Sequence, residues 1–341
     1  MQTKTTPSRI SWIDMAKGYG TILVIYAHLG QGPLWTWMYS FHLPLFFFLS
    51  GYVFNTKHNF ENFLLRKVKS IVIPYFCLGI PMVVFALLKD TIKSGMPLRT
   101  DDIISYIRAL LLQKRLWTLW FMACLFYLNI LFYLLVKLCR KNWTILLFSM
   151  ILPLVGLHYY AQGGTPMYWN VDVCMMAIPF FALGYVYKLH TDKIDDLFLQ
   201  KKRSIITFLI LAIVNVICWR LSLDEKGLGL EMFQSNYGNP VFTYIAAFAG
   251  IFCVVILSKW ITLEPIRYIG ENSMIYYAWH QTIMIPIIAK IMEVITLNSL
   301  MSFGEIGIVT YKWISMVGMV LVLTICNWCI GKLGLKFVVG K

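Results

Sequence analysis

Ser11-Trp12-Ile13-Asp14-Met15-Ala16-Lys17-Gly18-Tyr19-Gly20-Thr21-Ile22-Leu23-Val24-Ile25-Tyr26-Ala27-His28 is apolar enough to belong in a bilayer, yet it holds an aspartate, a lysine and a histidine. A charge at bilayer depth costs roughly 2.5–3.5 kcal/mol on insertion scales, so such residues usually serve function. Helical arithmetic sets them on one stripe. At about 100° per residue, Lys17 and His28 differ by about 20° after whole turns and lie about 16 Å apart along the axis. Asp14 falls about 40° to the other side of His28. Ser11 with Asp14 three residues later reads as an N-terminal capping pattern, which starts the helix near Trp12. Two charges near a membrane surface and an imidazole deep in the same stripe suit a thin cofactor, phosphates on the bases and reactive end at the histidine. The competing reading makes Asp14 and Lys17 an interfacial ion pair and gives His28 a hydrogen bond within a bundle.

The rest of the chain sets this stretch in a membrane. Of 341 residues, 59% are hydrophobic and 13% charged, against roughly 25% charged in soluble domains. Sixteen acids cannot solvate a globular surface of this length, and mean hydropathy is +0.69. The expected fold is all-α: a polytopic membrane bundle of about ten transmembrane helices, at about 20 residues per span. The segments are roughly 18–36, 41–55, 70–88, 117–136, 143–160, 170–188, 204–220, 241–258, 272–292 and 311–331. The net charge of +14 does not point to nucleic acid, because the bases sit in short clusters between apolar runs. With the N-terminus inside, 20 of the 30 Lys and Arg fall on the inner side, and six of the other ten lie in 89–116. Both termini are therefore expected in the cytoplasm. The piece Ile103–Leu112 of that outer stretch reads as an amphipathic surface helix. The polar N-terminus, with no A-x-A site after the first apolar core, does not read as a cleavable signal. Residues 1–341 read as one membrane domain with no appended periplasmic domain.

Other polar residues at membrane depth extend the candidate site. His42 opens the short second segment, which Pro44 and Gly51 break. Irregular backbone at that depth is tolerated where it lines a cavity; the alternatives are an interfacial His42, and Ser50-Gly51 serving close helix packing. Arg66-Lys67-Val68-Lys69 before Pro74 reads as a positive-inside anchor, as a phosphate clamp, or as both. Asp172, after Trp169-Asn170, reads as a cap or as part of an outer acceptor pocket. His280 follows Asn272 by eight residues and is a second deep histidine, with Tyr276 one turn before it. The eight cysteines lie in or at the ends of apolar runs, and Cys326-x-x-Cys329 has no acid or histidine beside it, so packing is favoured over metal or redox chemistry. No metal is expected. No G-x-S-x-G, Walker A, H-E-x-x-H or G-x-G-x-x-G pattern occurs.

Arg9, Asp14, Lys17, Gly18 and His28, in that order and spacing, resemble the first-helix signature of membrane acyltransferase family 3. Phe41 to Tyr52 resembles its second-helix pattern, and Arg66 to Pro74 its basic stretch before a proline. Trp120-Phe121, Pro179-Phe180 with Gly184, and Gly270 through His280 also fit. The likeness runs over almost the whole chain and is nearest to the fucose 4-O-acetylase-like and polysaccharide O-acetyltransferase branch. It departs at Lys17 and Lys69, where arginine is common, and a lysine offers phosphate a point charge in place of a bidentate fork. The resemblance implies an enzyme of the bacterial cytoplasmic membrane that moves an acetyl or succinyl group from cytoplasmic acyl-CoA to a hydroxyl of a cell-surface or lipid-linked glycan. It implies His28 as the catalytic residue, with Asp14 at long range. Lys17, Arg9, Arg66, Lys67 and Lys69 would bind the CoA, and His42, Ser50, Trp120, Asp172, Tyr276 and His280 would face the acceptor. His28 then acts as general base or as a covalent acyl carrier. The rival functions are an exporter of polysaccharide or a small polar solute, and a non-catalytic scaffold in glycan synthesis.

Overall fold

The computed structural model describes residues 10–30, 34–139, 141–198 and 200–341. Arg9, assigned above to the CoA, lies outside the described residues, as do Lys4 and Arg140. Helices α1 (Ser11–His28), α2 (Trp35–Tyr39), α3 (His42–Tyr52), α4 (Phe60–Lys67) and α5 (Ile73–Ser94) come first. Then follow α6 (Thr100–Leu112), α7 (Trp120–Leu138), α8 (Asn142–Ala161), α9 (Val171–Leu189), α10 (Thr191–Phe198) and α11 (Lys201–Ser222). The last five are α12 (Pro240–Trp260), α13 (Glu264–Glu271), α14 (Ser273–Trp279), α15 (Ile285–Val294) and α16 (Gly304–Lys332). Among the described residues the extended backbone forms a single isolated bridge, Glu231 with Asn236. The chain is all-helical, as its composition predicts.

Among the described residues, seven helical stretches are long and apolar enough to cross a membrane: 60–94, 120–138, 142–161, 168–189, 202–222, 240–260 and 297–332. The number ten is therefore not reached on length and apolarity. The three expected spans that fall short are α1, α3 and the run from α14 to α15, and these carry His28, His42 and His280. They pack against α5, α9, α12 and α16. Only 17% of the most apolar window of 202–222 is buried, which leaves that helix to face lipid, whereas 67% is buried in 168–189, which runs through the core.

The first helix starts within a residue of Trp12, as the Ser11–Asp14 reading expects, and ends eight residues short of the expected span. It begins at Ser11 and stops at His28, whereas the apolar count placed it at 18–36. Asp14 and Lys17 fall within its first two turns, so charges that a hydropathy window rejects are carried at an end. Ile10 is the cap residue and makes no side-chain cap bond, so the Ser11–Asp14 pattern is not a capping box. Asp14 instead lies in the first turn, where the helix dipole favours an acid. The chain leaves through Gly30 at φ +116°, a conformation that suits glycine.

Two turns of π-helix interrupt the bundle, Val68–Val72 and His280–Met284. Each is followed within two residues by a proline, Pro74 and Pro286. Proline lacks the N–H that would close an α-turn on Ser70 or Thr282, and its ring crowds that carbonyl. Both π-turns coincide with candidate functional segments, as such turns often do.

Reciprocal glycines set the closest helix contacts. A Cβ on Gly51 of α3 would sit 1.9 Å from the Phe181 carbonyl oxygen of α9, and one on Gly184 of α9 would sit 1.9 Å from Phe48 O of α3. Gly18 and Gly270 clasp α1 and α13 in the same way, at 2.1 Å from Ile266 O and 1.7 Å from Asp14 O. Small residues allow such backbone approach in membranes. Gly184→Ala is expected to separate α3 from α9 and lower the thermal midpoint of the detergent-solubilised protein, at an overpacking cost of about 1–3 kcal/mol. Gly331→Ala, with nothing within 4 Å of the added Cβ, is the control and should leave the midpoint unchanged.

Candidate active site

Three histidines from three helices come together at the end of the bundle where α1 stops. His28 is the last residue of α1, half-buried, with its ring centroid 4.8 Å from that of His280. His42 opens α3 and is fully buried, as is His280. Each donates its Nδ1 proton to a backbone carbonyl of its own helical run: His28 to Val24 O at 2.8 Å, His42 to Met38 O at 2.7 Å, His280 to Tyr277 O at 2.8 Å. A carbonyl only accepts, so the neutral ring keeps its lone pair on Nε2. The Nε2 atoms of His42 and His280 have no partner. That of His28 accepts from the Tyr39 hydroxyl at 3.3 Å. Tyr39 also stands edge-on to His42, with ring centroids 4.7 Å apart.

His28, His280, Tyr39 and Trp120 line one cavity of about 490 Å³. Across it stand Glu231 and the hydroxyl of Thr282, whose Oγ1 is buried without a partner. Burial raises the pKa of the Glu231 carboxyl. It also raises that of the Tyr39 phenol, an effect the Glu231 charge reinforces, so Tyr39 stays a donor. The wall is thus built largely of hydrogen-bonding groups, with Lys89, Arg115 and Glu231 as its charged members. Placed donors and acceptors beside an aromatic face suit a polar ligand.

The outer wall depends on Arg115. Its guanidinium reaches Asp172 at 2.5 Å, Asn170 Oδ1 at 2.7 Å, Phe233 O at 2.9 Å and Ser235 Oγ at 2.9 Å. Tyr160 also donates to Asp172. The backbone there is strained. Gln113, Arg115 and Trp117 take φ of 43°, 55° and 44°, and Trp169 and Asn170 take 54° and 55°. Such conformations cost about 1–3 kcal/mol each and persist only where the surroundings impose them. Here Gln113 O accepts from Trp169 N at 2.9 Å, and Thr118 Oγ1 donates to Ala278 O at 2.7 Å. The loop 223–239 closes on itself through Asp224, whose pKa is lowered chiefly by the Asn236 side chain. It hangs from Arg115 and carries Glu231 and Phe233 over the cavity.

The other sequence candidates divide by place. Asp14 lies about 21 Å from His28 along α1 by helical rise, buried and 3.9 Å from Lys17. It does not touch chemistry at His28. Ser50 donates to Phe46 O at 2.8 Å, Tyr276 pairs with Thr324 at 2.7 Å to hold α14 on α16, and neither lines the cavity. Asp172 stands behind the wall, and His42 behind Tyr39. Lys69 sits in the first π-turn and Lys67 lies over the Phe63 ring, 5.5 Å from its centroid. The π-turn packs on segment 336–339, and Gly340 closes on Ser70 O.

A second cavity, of about 520 Å³, opens at this Lys17 end, with Lys332, Lys336, Lys341, Asn272, Asn327 and Trp328 among its lining. Sequence reasoning counted those lysines as inner charges and did not place them in a site. It also missed Tyr39, Arg115, Thr282 and Glu231. No group of three His, Cys, Asp or Glu among the described residues is arranged to hold a metal.

The chain is a multi-pass helical bundle that gathers polar groups around a cavity. A model of the acyltransferase domain matches residues 10–330, and the chain belongs to membrane acyltransferase family 3. It is a multi-pass membrane acyltransferase. No curated protein and no solved structure matches the chain.

Proposed function

We propose that the protein transfers an acyl group from cytoplasmic acyl-CoA to a hydroxyl of a cell-surface or lipid-linked glycan. The observation that carries this reading is the division of labour along α1. Its Lys17 end lies by a basic cavity, and its His28 end lies in a polar, hydroxyl-rich one. A donor that fits has its charge at one end of a long thin arm and its reactive carbon at the other, and acyl-CoA has that shape. The count of bases favours a cytoplasmic Lys17 end. Thr21 falls on the same stripe between the two ends, and its hydroxyl is buried with no partner. An amide of the arm would satisfy it.

His28 serves as general base. The acceptor hydroxyl takes the place of Tyr39 OH on Nε2 and attacks the thioester carbonyl. The acyl carbon–oxygen bond forms, the carbon–sulfur bond breaks, and the proton passes through Nε2 to the departing CoA thiolate. The C-terminal end of α1 presents its negative dipole to the imidazolium that forms in between. His280 Nε2 and Thr282 Oγ1 hold neighbouring hydroxyls of the sugar. Trp120 offers its ring face.

The test is release of CoA from acetyl-CoA by the purified, detergent-solubilised protein. Turnover supports the reading. No binding and no turnover with acetyl- or succinyl-CoA would return the protein to the exporter class. For the donor site, the Lys332→Ala/Lys336→Ala variant is expected to raise KM for acetyl-CoA about tenfold, equal to ~1.4 kcal/mol, with kcat little changed and a flatter salt dependence. Lys17→Ala should move KM for the donor more than KM for the acceptor. Thr21→Val, which is isosteric, should raise that KM while also raising the thermal midpoint, because it removes an unsatisfied buried hydroxyl. An unchanged donor KM in all three variants would move the donor elsewhere.

A further inference from the structure

His28 borders two cavities. Besides the polar one, it lines a pocket of about 260 Å³ between α1, α15 and α16, with Leu29, Ile285, Ile288 and Tyr311. Ile285 faces this pocket and its neighbour Pro286 faces the polar cavity, so one turn of backbone and the imidazole divide them. The roof is fixed: Lys312 Nζ donates to Gly30 O at 2.6 Å, just beyond the end of α1. Besides His28, the side chains of Tyr311 and Ser315 bring hydroxyls to the wall. Ser315 is 1% exposed, and its hydroxyl has no partner.

We propose that this pocket receives the acyl group of the donor and that it accepts chains of several carbons, longer than acetyl. This rests on the acyl-CoA reading above. The two reactants must meet at His28 Nε2, and the two cavities that meet there differ in chemistry. The hydroxyl-bearing acceptor matches the polar one, and a hydrocarbon chain matches the apolar one. The size agrees. An acetyl methyl is comparable with one water molecule, roughly 30 Å³, whereas the pocket has room for several further carbons. The acyl carbonyl oxygen is an acceptor of the kind that the orphan Ser315 hydroxyl lacks. The chain stays intact in the step: only its carbonyl carbon changes partner, from the CoA sulfur to the acceptor oxygen.

Ala289 stands exposed at the rim of the pocket and tolerates a larger side chain without a packing cost; Ile288 is buried within it. CoA release by the purified protein is measured with acetyl-, butyryl-, hexanoyl- and octanoyl-CoA. The wild type is expected to turn over butyryl- and hexanoyl-CoA with kcat/KM at least equal to that for acetyl-CoA. Ala289→Phe should lower the hexanoyl-to-acetyl ratio tenfold or more, and Ile288→Ala should raise the octanoyl-to-acetyl ratio by a similar factor, the size of effect that a methylene or two produces in an apolar pocket. A wild type confined to acetyl-CoA, or ratios that neither variant moves, would overturn the proposal and leave the pocket to a lipid tail. Turnover of acetyl-CoA alone still supports the acyl-CoA reading. Failure with every thioester sinks that reading and this proposal with it.

Discussion

His28→Ala is expected to lower transfer from acyl-CoA by roughly 100- to 10,000-fold, the range that a positioned general base contributes, while the protein inserts, purifies and binds acetyl-CoA as before. The size follows from the surroundings of Nε2. Tyr39 already places a hydroxyl on it at 3.3 Å, so the geometry of a hydroxyl giving its proton to this nitrogen exists before any acceptor arrives. The Nδ1 bond to Val24 O fixes which nitrogen is basic; His42 and His280 make the same kind of bond, but of the three it is His28 whose Nε2 already meets a hydroxyl. His280, 4.8 Å away ring to ring, has its own free Nε2, and in the proposed mechanism it holds a neighbouring hydroxyl. His280→Ala is therefore expected to act mainly on KM for the acceptor. Single-turnover transfer and equilibrium acetyl-CoA binding are measured on both variants. Transfer by His28→Ala within tenfold of wild type would remove the base from the first helix. A labelled acyl group that remains on the wild-type protein when acceptor is withheld, and is lost in His28→Ala, would replace the general base by an acyl-histidine.

The stripe of Asp14, Lys17 and His28 was legible because helical periodicity is a local property, and one segment carries all three. Hydropathy misplaced its ends. A hydropathy window discards Asp14 and Lys17, whereas the helix itself accommodates them, Asp14 buried at its first turn with Lys17 beside it. His42 and His280 stood out as imidazoles in apolar runs. That they meet His28 was out of reach, since nothing in a single sequence pairs residue 28 with residue 280. Tyr39 lay in a cluster of aromatics that an interfacial belt explains equally well. Arg115 was one of six bases in 89–116, and only its burial against Asp172 separates it from a surface charge. Lys332 and Lys336 satisfied the positive-inside rule, which hid their place in a cavity. The glycines were visible as motif positions; their reason, backbone against backbone at α3–α9 and α1–α13, needs the structure. The segments that carry the candidate site are those that fall short as spans: α1 because Asp14, Lys17 and His28 lower its hydropathy, and α3 and the run from α14 to α15 because they are short or interrupted by a π-turn.

The largest effect on stability is expected from Arg115→Ala. The guanidinium is 7% exposed and the Asp172 carboxylate 0%, so the substitution strands a buried charge. Breaking such a pair from one side costs about 3–5 kcal/mol, a large part of the ~5–15 kcal/mol by which domains are stable. The loss does not end with the pair. Phe233 O, Ser235 Oγ and Asn170 Oδ1 lose their shared donor, and the loop 223–239 loses its tether to the wall. The left-handed backbone at Gln113, Arg115 and Trp117 then has less to impose it. Arg115→Lys should rescue little, because one ammonium cannot serve the carboxylate, the amide and the loop carbonyl together. The pair Arg115→Met/Asp172→Leu separates the two effects. An apolar pair in place of a buried ion pair is often neutral or better, so this variant should regain folded yield and thermal midpoint over Arg115→Ala. It should still transfer poorly, because Glu231 and Phe233 remain untethered above the cavity. Monodispersity and melting of the detergent-solubilised variants, with CoA release measured beside them, check both halves. A double variant that recovers full activity along with its stability would reduce Arg115 to a packing element and free the 223–239 loop from any part in holding the acceptor.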